Sequence, residues 1–291
     1  MGLLGASAFA LADGRIALVG GYNKELFDQY LAEVTPIDKE AEPERWAEVV
    51  DAYMGMEPEA YRWNDVVWAY DPAANEWSEL GENPYLPNTG SAVVATGADE
   101  VMVINGEVKP GLRTDAVRTL AVGGDGATWA EAAPIPAPTG AAIQEGLAGA
   151  FAGQSADAVL VAGGANFQGA RANADAGRWY AHDGLSKHWA TEVFAFIDGQ
   201  WSQVGSLPEG LAYGASFTVD DGLLVVGGED ATGAPAPRSS RLAGTAASSP
   251  WWIDARRVGT PRAGHPSVLA QPARRLGSRE GPPALCLDRK S

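Results

Sequence analysis

Arginine residues recur at a fixed offset in two glycine-containing loops of this sequence. Arg113 ends a Gly-Leu-Arg triplet and Arg171 ends a Gly-Ala-Arg triplet, each seven residues beyond a pair of small residues. Neither helix nor strand packing requires this arrangement, and two converging guanidinium groups suit an anion, especially a carboxylate held in bidentate geometry. The alternative is that each arginine pairs with a nearby acid such as Asp115 or Asp175.

The residue directly after each small-residue pair is the second candidate group. These residues are Tyr22, Glu107, Ala165 and Glu229. A carboxylate such as Glu107 can act as a general base if a partly buried site raises its pKa toward neutrality. The structural alternative is that its oxygens accept loop N–H groups and brace the turn.

Composition limits the chemistry that these residues could support. The 291-residue chain has one cysteine and three histidines, which excludes a disulfide framework and a cysteine-based zinc site. It has no apolar run of 18 residues, which excludes a membrane-spanning helix. The formal net charge of −16 argues against nucleic acid or an anionic membrane as a partner. We expect no metal and no organic cofactor.

Four copies of one pattern supply the elements that would position the candidate residues. Each copy runs from a glycine through a turn and an apolar segment into the small-residue pair, and the copies begin at Gly5, Gly90, Gly149 and Gly214. This pattern is typical of two buried β-strands joined as a hairpin. A second hairpin follows each of the first three pairs and carries a tryptophan on its last strand: Trp77, Trp129 and Trp201.

Two inner strands, two outer strands, a diglycine and a tryptophan per repeat predict the blades of a kelch-type β-propeller. We therefore predict an all-β fold with about four blades in residues 1–234, against the alternative of a β-sandwich with coincidental glycines. The glycine pairs would let inner strands crowd the axis or adopt a positive φ. The tryptophans are expected to fill the space between blades.

An insertion over about residues 23–62 interrupts the repeat. Pro43 suits a helix start, and Trp46, Val50 and Tyr53 lie at helical spacing, with Val49 as an alternative to Val50. We predict a short acidic helical excursion on one rim. It could cover the channel, contact a partner subunit in a homodimer, or only decorate the blade.

Residues 235–291 differ sharply from the rest of the chain. They hold ten of the 21 basic residues and three of the 37 acidic ones, a net of +7, against −23 for residues 1–234. Rich in Ala, Arg, Pro, Ser and Gly, they lack two-residue alternation. We predict a disordered, non-homologous tail, as an out-of-frame translation would give, and no strand setting for Trp251 and Trp252. The fourth blade would then lack its outer hairpin.

Two long motifs resemble one bacterial family. Residues 105–117 read Asn-Gly-Glu-Val-Lys-Pro-Gly-Leu-Arg-Thr-Asp-Ala-Val, and residues 163–169 and 180–185 form the second motif. They resemble loops of the bacterial N-acetylneuraminate epimerases, the sialic acid mutarotases, and the resemblance covers roughly residues 2–233. It implies a six-bladed kelch propeller that interconverts the α and β anomers of a small acidic sugar, N-acetylneuraminic acid.

The resemblance also implies residue roles. The family's proposed proton acceptor corresponds to Glu107, and the arginine expected to hold the sugar carboxylate corresponds to Arg113. Mutarotation would remove the anomeric hydroxyl proton, protonate the ring oxygen and close the ring on the other face. Tyr180, His182, Glu229 or a water could supply the proton that the ring oxygen takes. The alternative for His182 is that it is an ordinary hydrogen-bonded loop histidine.

The remaining substrate contacts are predicted around these residues. Arg171 and Asn166 join Arg113 in the predicted substrate-binding set, together with the three candidate acids. Lys187 and His188 are expected to lie at a solvated strand entry.

The chain departs from the family at both ends. Relatives carry an export signal and two further blades before the point that matches Gly2, whereas residues 1–12 here lack a basic start and follow the blade repeat. The resemblance implies a periplasmic protein, and the chain as written would remain cytoplasmic. Four blades cannot close a six-bladed ring, so we expect an isolated chain that is poorly stable and weakly active.

Two other functions compete with a mutarotase. A kelch interaction scaffold would bind protein with its channel loops, and a non-catalytic module would bind acidic sugars without turnover. The loop that carries Glu107 and Arg113 favours a sugar.

Overall fold

The computed structural model describes residues 3–257 apart from 125, 156, 179, 220–221, 234, 236–237 and 244–251. Its strands are, in chain order, β1 Ser7–Ala10, β2 Ile16–Val19, β3 Val66–Asp71, β4 Glu76–Glu82, β5 Ala92–Ala95, β6 Glu100–Ile104, β7 Glu107–Lys109, β8 Leu112–Arg113, β9 Val117–Gly123, β10 Gly126–Ala132, β11 Phe151–Ser155, β12 Ala158–Ala162, β13 Ala165–Phe167, β14 Lys187–Trp189, β15 Glu192–Ile197, β16 Gln200–Ser206, β17 Ala215–Val219, β18 Gly222–Val226, β19 Arg238–Ala243 and β20 Trp252–Arg257. The helices are α1 Lys24–Val34, α2 Pro43–Met54 and α3 Ala170–Asp175, with a 3-10 turn at Pro58–Tyr61.

Four antiparallel sheets of four strands each follow one another along the chain. Their strand orders are β1-β2-β3-β4, β5-β6-β9-β10, β11-β12-β15-β16 and β17-β18-β19-β20. Two short ribbons, β7-β8 and β13-β14, are inserted between the second and third strands of the second and third sheets. This repeated four-stranded meander confirms the kelch-type β-propeller, and the described sheets do not close into a ring.

Alternate residues of the inner strands pack against opposite neighbouring sheets. In β6, Val101 and Val103 join a core cluster with the first sheet, whereas Met102 and Ile104 join a cluster with the third sheet. Successive side chains of a strand point to opposite faces, so a strand between two sheets must be apolar at every position. This explains the continuous apolar runs before each small-residue pair.

Close backbone approach explains the small-residue pairs. The first residue of each pair has φ of 68°, 55°, 62° and 68°, at Gly20, Asn105, Gly163 and Gly227 respectively. A Cβ on Gly20 would lie 2.1 Å from the Asn88 carbonyl oxygen of the next loop. The prediction of positive φ at the pairs is confirmed, and the asparagine tolerates this region better than most side chains.

A chain of backbone hydrogen bonds joins the four sheets where their inner strands begin. Gly90 donates to Gly5 (3.0 Å), Gly149 donates to Gly90 (2.8 Å), and Tyr213 donates to Gly149 (2.8 Å). The φ angles of these four residues are 73°, 65°, 64° and 60° in chain order. The equivalent position in the fourth sheet is therefore Tyr213, one residue before the glycine that the sequence pattern indicated.

The fourth sheet is complete, so the prediction that it lacks outer strands is wrong. β19 pairs with β18, and β20 pairs with β19. Leu242 of β19 is buried against Leu223 and Val225 of the same sheet. The ladder is formed by backbone groups, which must find partners whatever the side-chain alternation. Of the predicted tail, residues 235–291, the part from residue 258 onward lies outside the described residues.

The tryptophans of the outer strands divide into two kinds. Trp129 packs against the cluster between the first two sheets, and Trp201 packs against the cluster between the second and third sheets. Trp77 is instead 47% exposed and contacts Tyr70 with ring centroids 5.0 Å apart. The inter-blade role is confirmed for two residues and wrong for Trp77, whose side of the first sheet faces no other described sheet.

The predicted helical insertion is confirmed, with one more helix than the pattern indicated. α2 begins at Pro43 and buries Val50 and Tyr53. α1, capped by the Asn23 side chain, packs beside it through partly buried residues and completes an aromatic cluster around Tyr61. Among the described residues, no helix is both long and apolar enough to cross a membrane.

Candidate functional site

The ribbon β7-β8 makes Glu107 and Arg113 direct cross-strand partners. The turn between them includes Gly111 with φ of 85°. The backbone of Glu107 also pairs with Thr89, whose loop precedes the second sheet, through bonds of 2.7 and 2.9 Å. A spacing of six residues thus becomes a side-by-side contact because the hairpin folds back, since opposed residues have Cβ atoms about 5 Å apart.

Glu107 and Arg113 form a largely buried ion pair. The Nη2 atom of Arg113 lies 2.7 Å from Oε2 of Glu107. The Arg113 side chain is 5% exposed and the Glu107 side chain is 12% exposed. The Tyr22 hydroxyl donates to Glu107 Oε1 at 3.2 Å, and the backbone N–H of Gly111 also donates to the carboxylate. The contact with Gly111 is the turn-bracing bond that the structural alternative predicted.

Burial gives Glu107 the electrostatics of a base. Loss of hydration raises the pKa of the Glu107 carboxyl above its ordinary value, because the protein interior disfavours the charged form. The nearby charge of Arg113, the hydrogen bonds from Tyr22 and Gly111, and the charge of Lys187 lower this pKa, but burial outweighs them. Bracing and proton acceptance are compatible in one carboxylate.

Arg113 keeps donor groups that no atom of the described residues uses. Its Nε and Nη1 atoms are buried and make no hydrogen bond within the described part of the chain. Its guanidinium carbon lies 5.0 Å from the centroid of the Phe167 ring. Buried donors are normally satisfied, and guanidinium N–H groups of this kind can bind an anionic acceptor such as a carboxylate.

The second motif packs against this hairpin. A Cβ on Gly111 would lie 1.8 Å from His182 Nδ1, so the imidazole occupies space that only glycine leaves open. The His182 ring contacts Phe167 and Tyr180, both with centroids 4.7 Å apart. One candidate acid, His182, therefore lies against the Glu107–Arg113 ribbon, and a second, Tyr180, contacts His182.

Arg171 pairs with a neighbouring acid, which is the alternative to anion binding that the sequence left open. Its Nη2 atom lies 3.2 Å from Asp115 Oδ1 and donates to the Gln144 carbonyl, and its backbone N–H donates to Glu145. Arg171 and Arg113 nevertheless line one cavity of about 240 Å³. Glu107 is not among the residues that line this cavity.

Asn166 is held against the loop that contains Gly146. It is 6% exposed, and its Nδ2 donates to the Gly146 carbonyl at 2.9 Å. On β13 it precedes Phe167, so the two side chains point to opposite faces of the ribbon. The structure places Asn166 as a brace between loops.

Glu229 has a cationic partner from the preceding sheet. Lys187 Nζ lies 2.7 Å from Glu229 Oε1, with side chains 22% and 36% exposed. Lys187 also lies over the rings of Trp189 and Tyr213. The expectation of a solvated strand entry is therefore wrong for Lys187, because β14 directs it against these two rings.

Three contacting residues were not assigned a role by the sequence reasoning. The sequence could have indicated Tyr22, since it occupies the same repeat position as Glu107. Phe167 lies inside the second motif but has no chemistry of its own. No sequence pattern indicated the contacts of Lys187, because its partners Glu229 and Tyr213 come from loops that are distant in sequence. Among the described residues, no group of three His, Cys, Asp or Glu could hold a metal ion.

Comparisons with known proteins identify relatives. A family model described as N-acetylneuraminate epimerase matches residues 1–244. The chain is 56% identical over 233 residues to the N-acetylneuraminate epimerase of Brucella melitensis biotype 1, covering 80% of this chain and 60% of that protein. It is 50% identical over 229 residues to that of Vibrio cholerae serotype O1, covering 79% of this chain and 59% of that protein.

A solved structure agrees with these sequence relatives. The structure described as "Structure of YjhT" matches with a TM-score of 0.78 and 34% identity, covering 86% of this chain and 68% of that one. The chain spans about three fifths of the length of the curated relatives it matches. The extent of these matches shows that the chain belongs to the N-acetylneuraminate epimerase family.

Proposed function

We propose that this chain interconverts the α and β anomers of N-acetylneuraminate, with Glu107 as the base and Arg113 as the carboxylate-binding group. The observation that carries the proposal is the buried ion pair at 2.7 Å, in which two Arg113 donors have no partner among the residues that the structure describes. The family supplies the substrate class, because its named members are N-acetylneuraminate epimerases.

The substrate geometry fits the spacing of the pair. In this sugar the carboxylate is bonded directly to the anomeric carbon, so a guanidinium that holds the carboxylate brings the anomeric hydroxyl beside it. Glu107, in contact with the same guanidinium, is then within reach of that hydroxyl. A second anion on Arg113 also weakens its hold on Glu107, which raises the basicity of the carboxylate.

The proton balance of the reaction requires a second group. Glu107 accepts the anomeric hydroxyl proton, the bond between the anomeric carbon and the ring oxygen breaks, and the ring oxygen takes a proton from an acid. The open-chain ketone rotates, and the reverse steps close the ring on its other face. His182 packs against the ribbon and Tyr180 contacts His182, so both remain candidate acids, whereas Glu229 is engaged by Lys187.

The test is direct measurement of anomer exchange. Freshly released α-anomer is followed by NMR with the wild-type chain and with Glu107→Gln, which keeps the shape and removes the base. We expect the wild type to accelerate exchange and Glu107→Gln to lose about 10²- to 10⁴-fold of the catalysed rate. Full exchange by Glu107→Gln would overturn the assignment of the base.

Binding measurements separate an enzyme from a sugar-binding module. Glu107→Gln should still bind the sugar, since Arg113 keeps its donors. Binding without any catalysed exchange by either protein would instead identify a non-catalytic module and overturn the proposed activity.

We propose the periplasm as the location of the protein, because the family that it resembles is exported. Cell fractionation with a periplasmic marker tests it, and recovery of the protein only with the cytoplasmic marker would contradict it.

A further inference from the structure

A second charged cluster lies beside the Glu107–Arg113 pair. Lys187 Nζ contacts Glu229 at 2.7 Å and lies 4.8 and 4.5 Å from the ring centroids of Trp189 and Tyr213. A lysine held by one carboxylate and two rings is fixed in position, unlike an ordinary surface lysine whose long side chain samples many rotamers.

The ribbon β13-β14 connects this cluster to the proposed catalytic pair. Lys187 is the register partner of Phe167, and the Phe167 ring lies 5.0 Å from the Arg113 guanidinium carbon. Opposed residues of an antiparallel ribbon project from the same face. Glu229 also occupies the repeat position of Glu107, and each pairs back to the loop before its own sheet. Both clusters therefore lie at the same end of the sheets.

Tyr213 is held in a conformation that its side chain disfavours. Its φ is 60°, at the position where the other three sheets have glycine. Its ring lies over Gly149, where a Cβ would approach the ring to 2.2 Å, and it is 44% exposed. A large residue kept at positive φ where glycine would fit indicates that the ring has a use beyond packing.

We propose that Lys187, Glu229 and Tyr213 form a second contact region of the sugar site, which binds the uncharged, hydroxyl-bearing side chain of the acidic sugar. The proposal rests on the proposed function, in which Arg113 holds the carboxylate. Neighbouring hydroxyls both donate and accept hydrogen bonds, so an ammonium and a carboxylate 2.7 Å apart match a vicinal diol. The exposed Tyr213 ring offers an apolar face to the C–H groups of the same chain.

Two variants and two substrates test the region. Exchange kinetics are measured for Lys187→Met and Tyr213→Gly with N-acetylneuraminate and with an analogue whose three-carbon polyol side chain is shortened to hydroxymethyl. At a pH at which Glu107 is ionised in every variant, we expect each variant to raise KM about tenfold for the full sugar, with kcat changed less than about twofold, and to leave KM for the analogue unchanged.

Stability separates a binding role from a structural one. Tyr213→Gly should keep or raise the thermal midpoint, because glycine relieves the positive φ. Lys39→Met is the matched control, since Lys39 lies 4.4 Å from the Trp46 ring in the insertion, and its KM should equal that of the wild type. A lower thermal midpoint with unchanged KM would assign Tyr213 to packing, and equal KM increases for both substrates would assign Lys187 to the carboxylate.

Failure of the proposed activity can be recognised separately. If the wild type binds the sugar without catalysing exchange, Kd replaces KM in the same comparison. Selective weakening of the full sugar then supports the contact region although the activity is absent. A wild-type chain that neither binds nor converts the sugar overturns both proposals.

Discussion

The two glutamates that follow the small-residue pairs form ion pairs of equal length in different surroundings. Glu107 meets Arg113 and Glu229 meets Lys187, both with N–O distances of 2.7 Å. The first pair is almost excluded from solvent, whereas the second is 22% and 36% exposed. The first partner comes from the same ribbon, and the second comes from the ribbon of the preceding sheet.

Under the two proposals, one repeat position has two uses. The repeat position carries a carboxylate in the second and fourth sheets, and the surroundings of each carboxylate decide what chemistry it suits. Burial raises the pKa of Glu107, which favours proton acceptance, and Tyr22 and Arg113 keep the carboxylate oriented. The open Lys187–Glu229 pair suits hydrogen bonding to a neutral polyol.

Arg113→Met should have the largest effect. It leaves Glu107 buried without its guanidinium and removes the carboxylate-binding donors, so kcat/KM should fall by at least about 10²-fold and stability by about 3–5 kcal/mol. Denaturant unfolding and exchange kinetics measure both. The control is Arg45→Met, in an exposed pair with Glu42, which should cost less than about 1 kcal/mol. Equal losses in the two variants would show that burial does not distinguish the pairs.

Tyr22→Phe should shift the pH dependence. Burial raises the pKa of the Tyr22 phenol, so it stays protonated and donates to Glu107. This bond lowers the pKa of Glu107, so its removal raises that pKa further. The acid limb of kcat/KM, where Glu107 becomes ionised as pH rises, should move to higher pH, with little change in rate above it.

The control for that shift is another tyrosine hydroxyl. Tyr70→Phe removes an exposed bond to Asn75 and should leave the profile unchanged. A Tyr22→Phe profile that stays in place, or moves to lower pH, would contradict the role of Glu107 as the titrating base.

Glu229→Gln should have the smallest effect. The amide still accepts a bond from Lys187 and from a sugar hydroxyl, so we expect a threefold or so increase in KM and a kcat within about twofold of wild type. Exchange kinetics by NMR measure both constants. A fall in kcat as large as that of Glu107→Gln would mean that the two glutamates share the proton transfer.

Sequence reasoning worked best where a pattern depends on local periodicity. The continuous apolar runs of β6 and β12, the small-residue pairs and the helix from Pro43 all follow from neighbouring residues. It failed at β19 and β20, because backbone pairing with the edge of β18 stabilises strands that their own composition does not indicate. It also placed the fourth inner strand one residue late, since no pattern reveals that Tyr213 adopts a glycine conformation.

In the candidate site, too, some features follow from the local sequence and others depend on the tertiary structure. The sequence by itself determined that Glu107 and Arg113 share a loop, because six residues around a tight turn form a local hairpin. Only the tertiary structure decided that this pair is buried, that Arg171 takes Asp115 instead, and that Lys187 meets Glu229. Burial and contacts between loops depend on how separate sheets approach, and this approach is set by core packing distributed over the whole unit.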